Sequence, residues 1–261
     1  MLIDSHCHLD FEDFAAEGIA NVIERARAAG VDRMLTICCE IQKFAPILAI
    51  AEQFDFINCS IGTHPHQSSL PDEVALTTAD IVARSRQSSK IVALGETGLD
   101  YYYDFSPKEL QYQVFTRHIE AALETGLPLI IHTRDAEEDT MRLLRDVGQG
   151  KVRGVMHCFT GTQWLADQAL DIGFYISLSG ILTFKKSQDL RDIAKTVPMD
   201  RLLVETDSPY LAPMPYRGKR NEPSYVVETA KVLADVKGVD YAAIAAQTTQ
   251  NFYTLFDKVP R

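Results

Sequence analysis

The chain begins Met1-Leu2-Ile3-Asp4-Ser5-His6-Cys7-His8, and these residues separate two folds. Leu2–Asp4 is the first of eight short apolar runs. The others are Arg33–Cys39, Phe56–Gly62, Lys90–Glu96, Pro128–His132, Gly154–Phe159, Phe174–Gly180 and Leu202–Asp207. Several are apolar almost throughout, as parallel strands buried on both faces are. Polar, amphipathic segments separate them at regular intervals. Eight such runs alternating with helices predict an α/β fold, a (β/α)₈ TIM barrel. The competing fold, an open doubly wound sheet, carries a Gly-rich phosphate turn after its first strand. Here the first strand runs into Ser5-His6-Cys7-His8 instead. Barrels of this kind take about 250 residues, so the 261 residues read as one domain, 1–261.

Local signals agree. Ser106-Pro107-Lys108-Glu109 reads as a helix start, with Ser106 as N-cap, Pro107 at the first helical position and Glu109 closing a capping box. Gly30, Gly126 and Gly173 stand where helices should end. After a proline-rich loop, Ser208–Pro223, two closing helices are expected over Tyr225–Val236 and Tyr241–Phe256. No apolar run approaches the ~20 residues of a membrane span. The N-terminus lacks the basic start and apolar stretch of a signal peptide. The five cysteines are odd in number and form no CxxC pair, which suits free thiols in a reducing compartment. A cytoplasmic monomer without a membrane partner is expected.

Five of the seven histidines fall at or just after the C-terminal end of an expected strand, the end that carries the active site of a barrel. His6 and His8 are two apart on an extended chain, so both imidazoles point to one side and can reach one cation. Cys7 between them points away and reads as packing. Glu96 ends the run Lys90–Gly95, where an unpaired carboxylate would be costly. A cation removes that cost; an ion pair to Arg134 is the other possibility. His132 and His157 end successive strands. Asp207 ends the last run, which barrel closure brings beside His6 and His8. Glu205, two residues earlier, is either an outer group orienting ligands or water or an ordinary ion-pair partner. His64, in Gly62-Thr63-His64-Pro65-His66, reads as a rim residue that hydrogen-bonds a substrate oxyanion. His66 and His118 read as structural or surface residues.

This set of imidazoles and carboxylates, His6, His8, Glu96, His132, His157 and Asp207, suits Zn²⁺, Mn²⁺ or Co²⁺ and, with fewer nitrogens, Mg²⁺. Six ligands with a bridging glutamate imply two divalent ions about 3.5–4 Å apart, with a water between them that ionises near neutral pH and attacks. The expected activity is that of a divalent-metal-dependent hydrolase acting on ester bonds, with Glu96, Asp207 and His64 as its catalytic residues.

The chain resembles the TatD family of metal-dependent deoxyribonucleases, within the amidohydrolase superfamily, and looks most like its bacterial YcfH branch. The resemblance spans essentially the whole chain. It rests on Asp4-Ser5-His6-Cys7-His8-Leu9-Asp10, Gly62-Thr63-His64-Pro65, Gly95-Glu96-Thr97-Gly98-Leu99-Asp100-Tyr101, His132-Thr133-Arg134, His157-Cys158-Phe159 and Val204-Glu205-Thr206-Asp207-Ser208-Pro209-Tyr210-Leu211. It implies one metal held by His6, His8 and Asp207, a second by His132 and His157, Glu96 bridging, and His64 on the scissile phosphate. It also implies 3′-to-5′ exonuclease activity on DNA; some relatives are instead assigned deacylation of mischarged transfer RNA.

Hydrolysis of a C–N or C–O bond in a small metabolite is the alternative, and a non-catalytic binding protein a third. Many two-metal relatives bridge their ions with a carbamylated lysine on the fourth strand; Glu96 in that place favours phosphodiester hydrolysis. A net charge of −10 argues against coating nucleic acid through bulk electrostatics. The expected partner is therefore a single-stranded DNA end, held by the metals, by His64 and Arg134, and by Arg217, Lys219 and Arg220 on the proline-rich loop.

Overall fold

The computed structural model describes all 261 residues. Its strands are β1 (Leu2–Cys7), β2 (Val31–Thr36), β3 (Ile57–Ile61), β4 (Ile91–Asp100), β5 (Leu129–Arg134), β6 (Gly154–Met156), β7 (Tyr175–Leu178) and β8 (Leu202–Val204). They form one sheet in sequence order, and every neighbouring pair is parallel. The ring closes through a parallel bridge between Cys7 and Ser208. There His8 N–H donates to the Ser208 carbonyl at 2.8 Å and Asp207 N–H to the His6 carbonyl at 2.9 Å. This is the expected (β/α)₈ barrel, with helices such as Ile19–Ala28, Lys108–Thr125 and Glu137–Asp146 between the strands.

Two apolar clusters follow from the alternation of side chains. The larger holds 53 buried residues, among them Leu2, Met34, Ile57, Leu129, Ile131 and Ile176, and fills the space between strands and helices. The smaller includes Ile3, Leu35, Val92, Ile130, Val155 and Leu203, the opposite strand faces, together with Phe252, Leu255 and Phe256. Those last three come from the helix Tyr241–Leu255 and its end. Asn251, on the same helix, donates to the Met199 and Leu202 carbonyls at 2.8 Å each and ties the helix to the start of β8. The bottom of the barrel is thus plugged by apolar side chains, and the polar groups gather at the opposite end.

One expected helix start is corrected. The helix begins at Lys108 with Pro107 in the cap position and no side-chain cap. The Ser106 hydroxyl instead donates to the His66 carbonyl at 2.9 Å and accepts from Ser69 N–H at 3.1 Å. It ties two loops together rather than closing a helix end. Gly126 ends this helix in the left-handed region at φ 70°, as its position suggests.

Candidate metal centre

Strand β1 does not keep strict alternation. Its register against β2 shifts between Asp4 and Cys7. Ile3 packs in the inner cluster and Cys7 in the outer one, so the irregularity resets the facing and leaves His6 and His8 together on the inner side. A similar shift lies in β4 between Leu94 and Thr97, around Glu96. Glycines allow the close packing there. A side chain on Gly98, at φ 142°, would collide with the His132 carbonyl oxygen, and one on Gly62 with the Gly95 backbone. These contacts draw the ends of β3, β4 and β5 together, and with them His64, Glu96 and His132. Asp207 sits in the left-handed region at φ 55°, an uncommon conformation for a residue other than glycine, and such backbone clusters at functional sites.

Glu96 is the centre of the arrangement. Its Oε2 lies 3.4 Å from His6 Nε2. Its Oε1 lies 3.3 Å from His64 Nε2, 3.1 Å from His132 Nδ1 and 2.7 Å from His157 Nε2. Asp207 Oδ1 lies 3.6 Å from His6 Nε2 and 3.4 Å from His8 Nε2. The six residues read as ligands are therefore neighbours in space. Only histidines lie within ion-pair distance of Glu96, so the Arg134 ion pair is not formed; the Arg134 guanidinium lies 3.7 Å above the Tyr102 ring.

Hydrogen-bond partners sort the histidines by tautomer. His132 Nε2 is 2.9 Å from Asp100 Oδ2, so a neutral His132 keeps its proton on Nε2 and has Nδ1, which faces Glu96, free for a cation. His157 Nδ1 is 3.2 Å from Glu205 Oε1, so a neutral His157 keeps its proton there and has Nε2 free for a cation. Both are the carboxylate–histidine pairing that metal ligands use. His64 is opposite in kind: its Nδ1 accepts from His66 N–H at 3.1 Å, so the proton sits on Nε2, the atom that faces the site. His64 is therefore a donor there. His6 is fully buried, and neither ring nitrogen has a hydrogen-bond partner. An orphaned buried imidazole costs free energy, and a divalent cation is the partner that this donor set fits. Three donor groups are compact enough to hold an ion: His6, His8 and Glu96; His64, Glu96 and His132; and His6, His157 and Glu205.

Electrostatics follow from burial and crowding. Burial works against a charge on Glu96, but the imidazoles around it, His157 foremost, outweigh it and hold its carboxyl well below the ordinary range. Burial lowers His157, yet Glu96 and Glu205 overcome this and raise it well above the ordinary imidazole value. His64 is pushed down to about 4, chiefly by burial, and is neutral at neutral pH.

Three residues of the site carry weak sequence signals. Asp100, buried, supports His132 and also lies 3.0 Å from His66 Nε2. His66 is accordingly not a bystander; it lines the cavity above the metal residues. Cys39 lines it too, with Sγ 3.8 Å from His8 Nδ1 and 3.9 Å from Glu96 Oε2. His118 is structural: its Nδ1 donates to the Val114 carbonyl and its Nε2 accepts from Thr63 N–H. Arg134, Arg217 and Lys219 do not line the cavity. Arg217 stacks on Phe184 and Lys219 stands 5.9 Å from the Tyr216 ring centre. Arg220 is engaged by Glu17 and the Asp13 carbonyl, so its charge is already partnered.

The family described as TatD related DNase matches residues 3–257. An uncharacterized metal-dependent hydrolase of Escherichia coli K12, YcfH, is 42% identical over 257 residues, covering 98% of this chain and 95% of its own. A protein of Erwinia tasmaniensis named 3′-5′ ssDNA/RNA exonuclease TatD is 36% identical over 242 residues, covering 90% and 92%. Among solved structures, the TatD homologue YjjV of E. coli superposes with a TM-score of 0.91 at 29% identity, covering 99% of this chain and 98% of that one. The barrel, the carboxylate-centred histidine cluster and these matches place the chain in the TatD family of metal-dependent hydrolases.

Proposed function

We propose that this protein is a two-metal exonuclease that hydrolyses phosphodiester bonds at the 3′ end of single-stranded DNA. One observation carries the reading: the two oxygens of Glu96 face different histidines, Oε2 toward His6 and Oε1 toward His64, His132 and His157. A carboxylate so placed can serve two ions at once. His6, His8 and Asp207 would hold one and His132 and His157 the other. Such a pair of ions lowers the pKa of water and stabilises both the attacking and leaving oxygens of an in-line displacement. The Erwinia relative's name supports the choice of a nucleic-acid strand.

The chain's own residues divide the remaining work. Glu205 and Asp100 keep His157 and His132 in the tautomers that present a lone pair. Neutral His64 presents an N–H, which suits a bond to a phosphate oxygen that gains charge in the transition state. Asp207 opposes the positive charge gathered beside His6 and His8. The cavity over these groups has a volume of about 560 Å³, a concave site that admits a strand end more readily than the middle of a duplex.

The test is digestion of 5′-labelled, 3′-labelled and circular single strands with Mg²⁺ or Mn²⁺. The expected result is prompt release of a labelled mononucleotide from the 3′-labelled strand, a descending ladder from the 5′-labelled one and an intact circle. Efficient cleavage of the circle would defeat the exonuclease reading. No cleavage of any strand with either metal would move the substrate to a small ester or an aminoacyl ester.

A further inference from the structure

Five aromatic side chains are exposed on the molecule: Tyr102, Tyr103, Phe105, Trp164 and Tyr210. Three of them, Tyr103, Phe105 and Tyr210, line the cavity above the candidate metal centre. An apolar ring costs free energy in water, and a concentration of rings at one mouth marks a binding surface rather than scatter. We propose that they form a base clamp, in which unpaired bases at the end of a single strand stack against two aromatic walls while the phosphate lies on the polar floor. The clamp rests on the reading of the site as a phosphodiesterase.

The first wall is Tyr103 and Phe105, whose rings stack with centroids 5.1 Å apart and planes at 13°. Phe105 and Tyr103 both lean on His66, at 4.7 and 5.3 Å. The second wall is Tyr210 and Phe11, edge to face at 5.6 Å, with Tyr210 also 6.2 Å from His8. Floor residues His8, His64, Glu96, His132 and Asp207 lie in the same cavity. Flat π-faces over a phosphate-handling floor match a polymer that presents a flat base for each phosphate. A peptide or a lipid offers no such repeat.

The first wall is tied to the Asp100 side chain that supports His132, and the second to the backbone of Asp207 and His8. Asp100, whose Oδ2 supports His132, uses Oδ1 to accept from the N–H groups of Tyr102 and Tyr103, each at 3.0 Å. Tyr210 N–H donates to the Asp207 carbonyl at 3.0 Å, and Phe11 N–H to the His8 carbonyl at 3.4 Å. The segments that carry the rings are thus fixed before a strand arrives, which reduces the ordering cost of binding. The Arg134 guanidinium over Tyr102 and Tyr103 adds positive charge behind the first wall. Stacking tolerates any base, because every base has a π-face.

The probe is a short single strand with phosphorothioate linkages and 2-aminopurine at its 3′ end, beside the same strand with abasic terminal positions. Binding is followed by anisotropy and by 2-aminopurine quenching, with Mg²⁺ present. The wild-type protein should quench the probe and bind the base-bearing strand at least about 10-fold more tightly than the abasic one. Phe105→Ala and Tyr210→Ala should each erode that preference and leave abasic binding unchanged. Phe105→Leu, which keeps apolar bulk without a π-face, should behave like Phe105→Ala, and Trp164→Ala, away from the cavity, should match the wild type. Equal binding of the two strands, or equal weakening of both by Phe105→Ala, would overturn the clamp. Quenching and base preference without hydrolysis of the all-phosphate strand would support the clamp and defeat the phosphodiesterase reading. Hydrolysis at equal rates with and without terminal bases, and no quenching, would do the reverse.

Discussion

The two sides of Glu96 are built from the same residue types and supported in different ways. Toward β5 and β6, His132 leans on Asp100 and His157 on Glu205, at 2.9 and 3.2 Å. Toward β1 and β8, His6 has no hydrogen-bond partner on either nitrogen, and His8 has the Cys39 thiol 3.8 Å from Nδ1 and Asp207 3.4 Å from Nε2. On the first side the protein fixes each tautomer by itself. On the second, His6 is left with an unmet need that an ion would satisfy. One half of the cluster is thus oriented by outer carboxylates, while on the other His6 has no such support.

Glu96→Ala should erase the contrast altogether, because both halves lose their common member. Turnover should fall by on the order of 10³-fold or more, since metal-assisted steps supply several kcal/mol. Circular dichroism should stay that of the wild type, because the apolar plug beneath the site is untouched. Activity retained within about tenfold would remove Glu96 from its central place.

Asp100→Asn separates the halves. Loss of an outer carboxylate costs about 10–100-fold in metal affinity, and the loss should fall on one ion only. Calorimetric titration of the metal-free variant should show one weakened and one unchanged step. Equal weakening of both steps would mean that the two halves are not supported independently.

A histidine outside both halves gives the smallest effect on the site and a clean effect on the fold. His118 is fully buried, and burial lowers it from the ordinary 6.5 to about 4. Its folded pKa lies below its unfolded one, so the unfolded chain binds the proton more readily between those values. The stability that His118 contributes as a neutral group is complete above about pH 6.5 and is lost as pH falls toward 4, up to about 3 kcal/mol. In urea unfolding, His118→Gln should flatten the fall in stability across that window. Metal affinity at pH 7 should stay within about threefold of the wild type, roughly 0.7 kcal/mol. An unchanged pH slope would show that His118 is not the group responsible.

Much of the barrel and of its cluster of histidines and carboxylates was legible because both depend on local pattern. An apolar run ended by His or Asp is visible in the chain, and barrel closure follows from the count of runs. Of the supports, Glu205 was legible only as one of two possibilities and Asp100 not at all, because they depend on contacts far apart in sequence. Glu205 meets His157 across 48 positions, and nothing beside either residue chooses between an ion pair and an imidazole. Asp100 was hidden by Gly95 and Gly98. A strand interrupted by two glycines reads as ending at Glu96, yet β4 runs on through Asp100. The basic loop misled for the opposite reason: composition exposes a charge but not its partner, and Arg220 is taken by Glu17.

Whether Glu96 joins two ion sites is decided by the stoichiometry of binding. Metal-free protein would be titrated with Mn²⁺, with bound metal counted by elemental analysis after buffer exchange and phosphodiesterase activity followed in parallel. Two ions per chain are expected, with activity appearing as the second is taken up. Saturation at one ion per chain with full activity would contradict the bridging role.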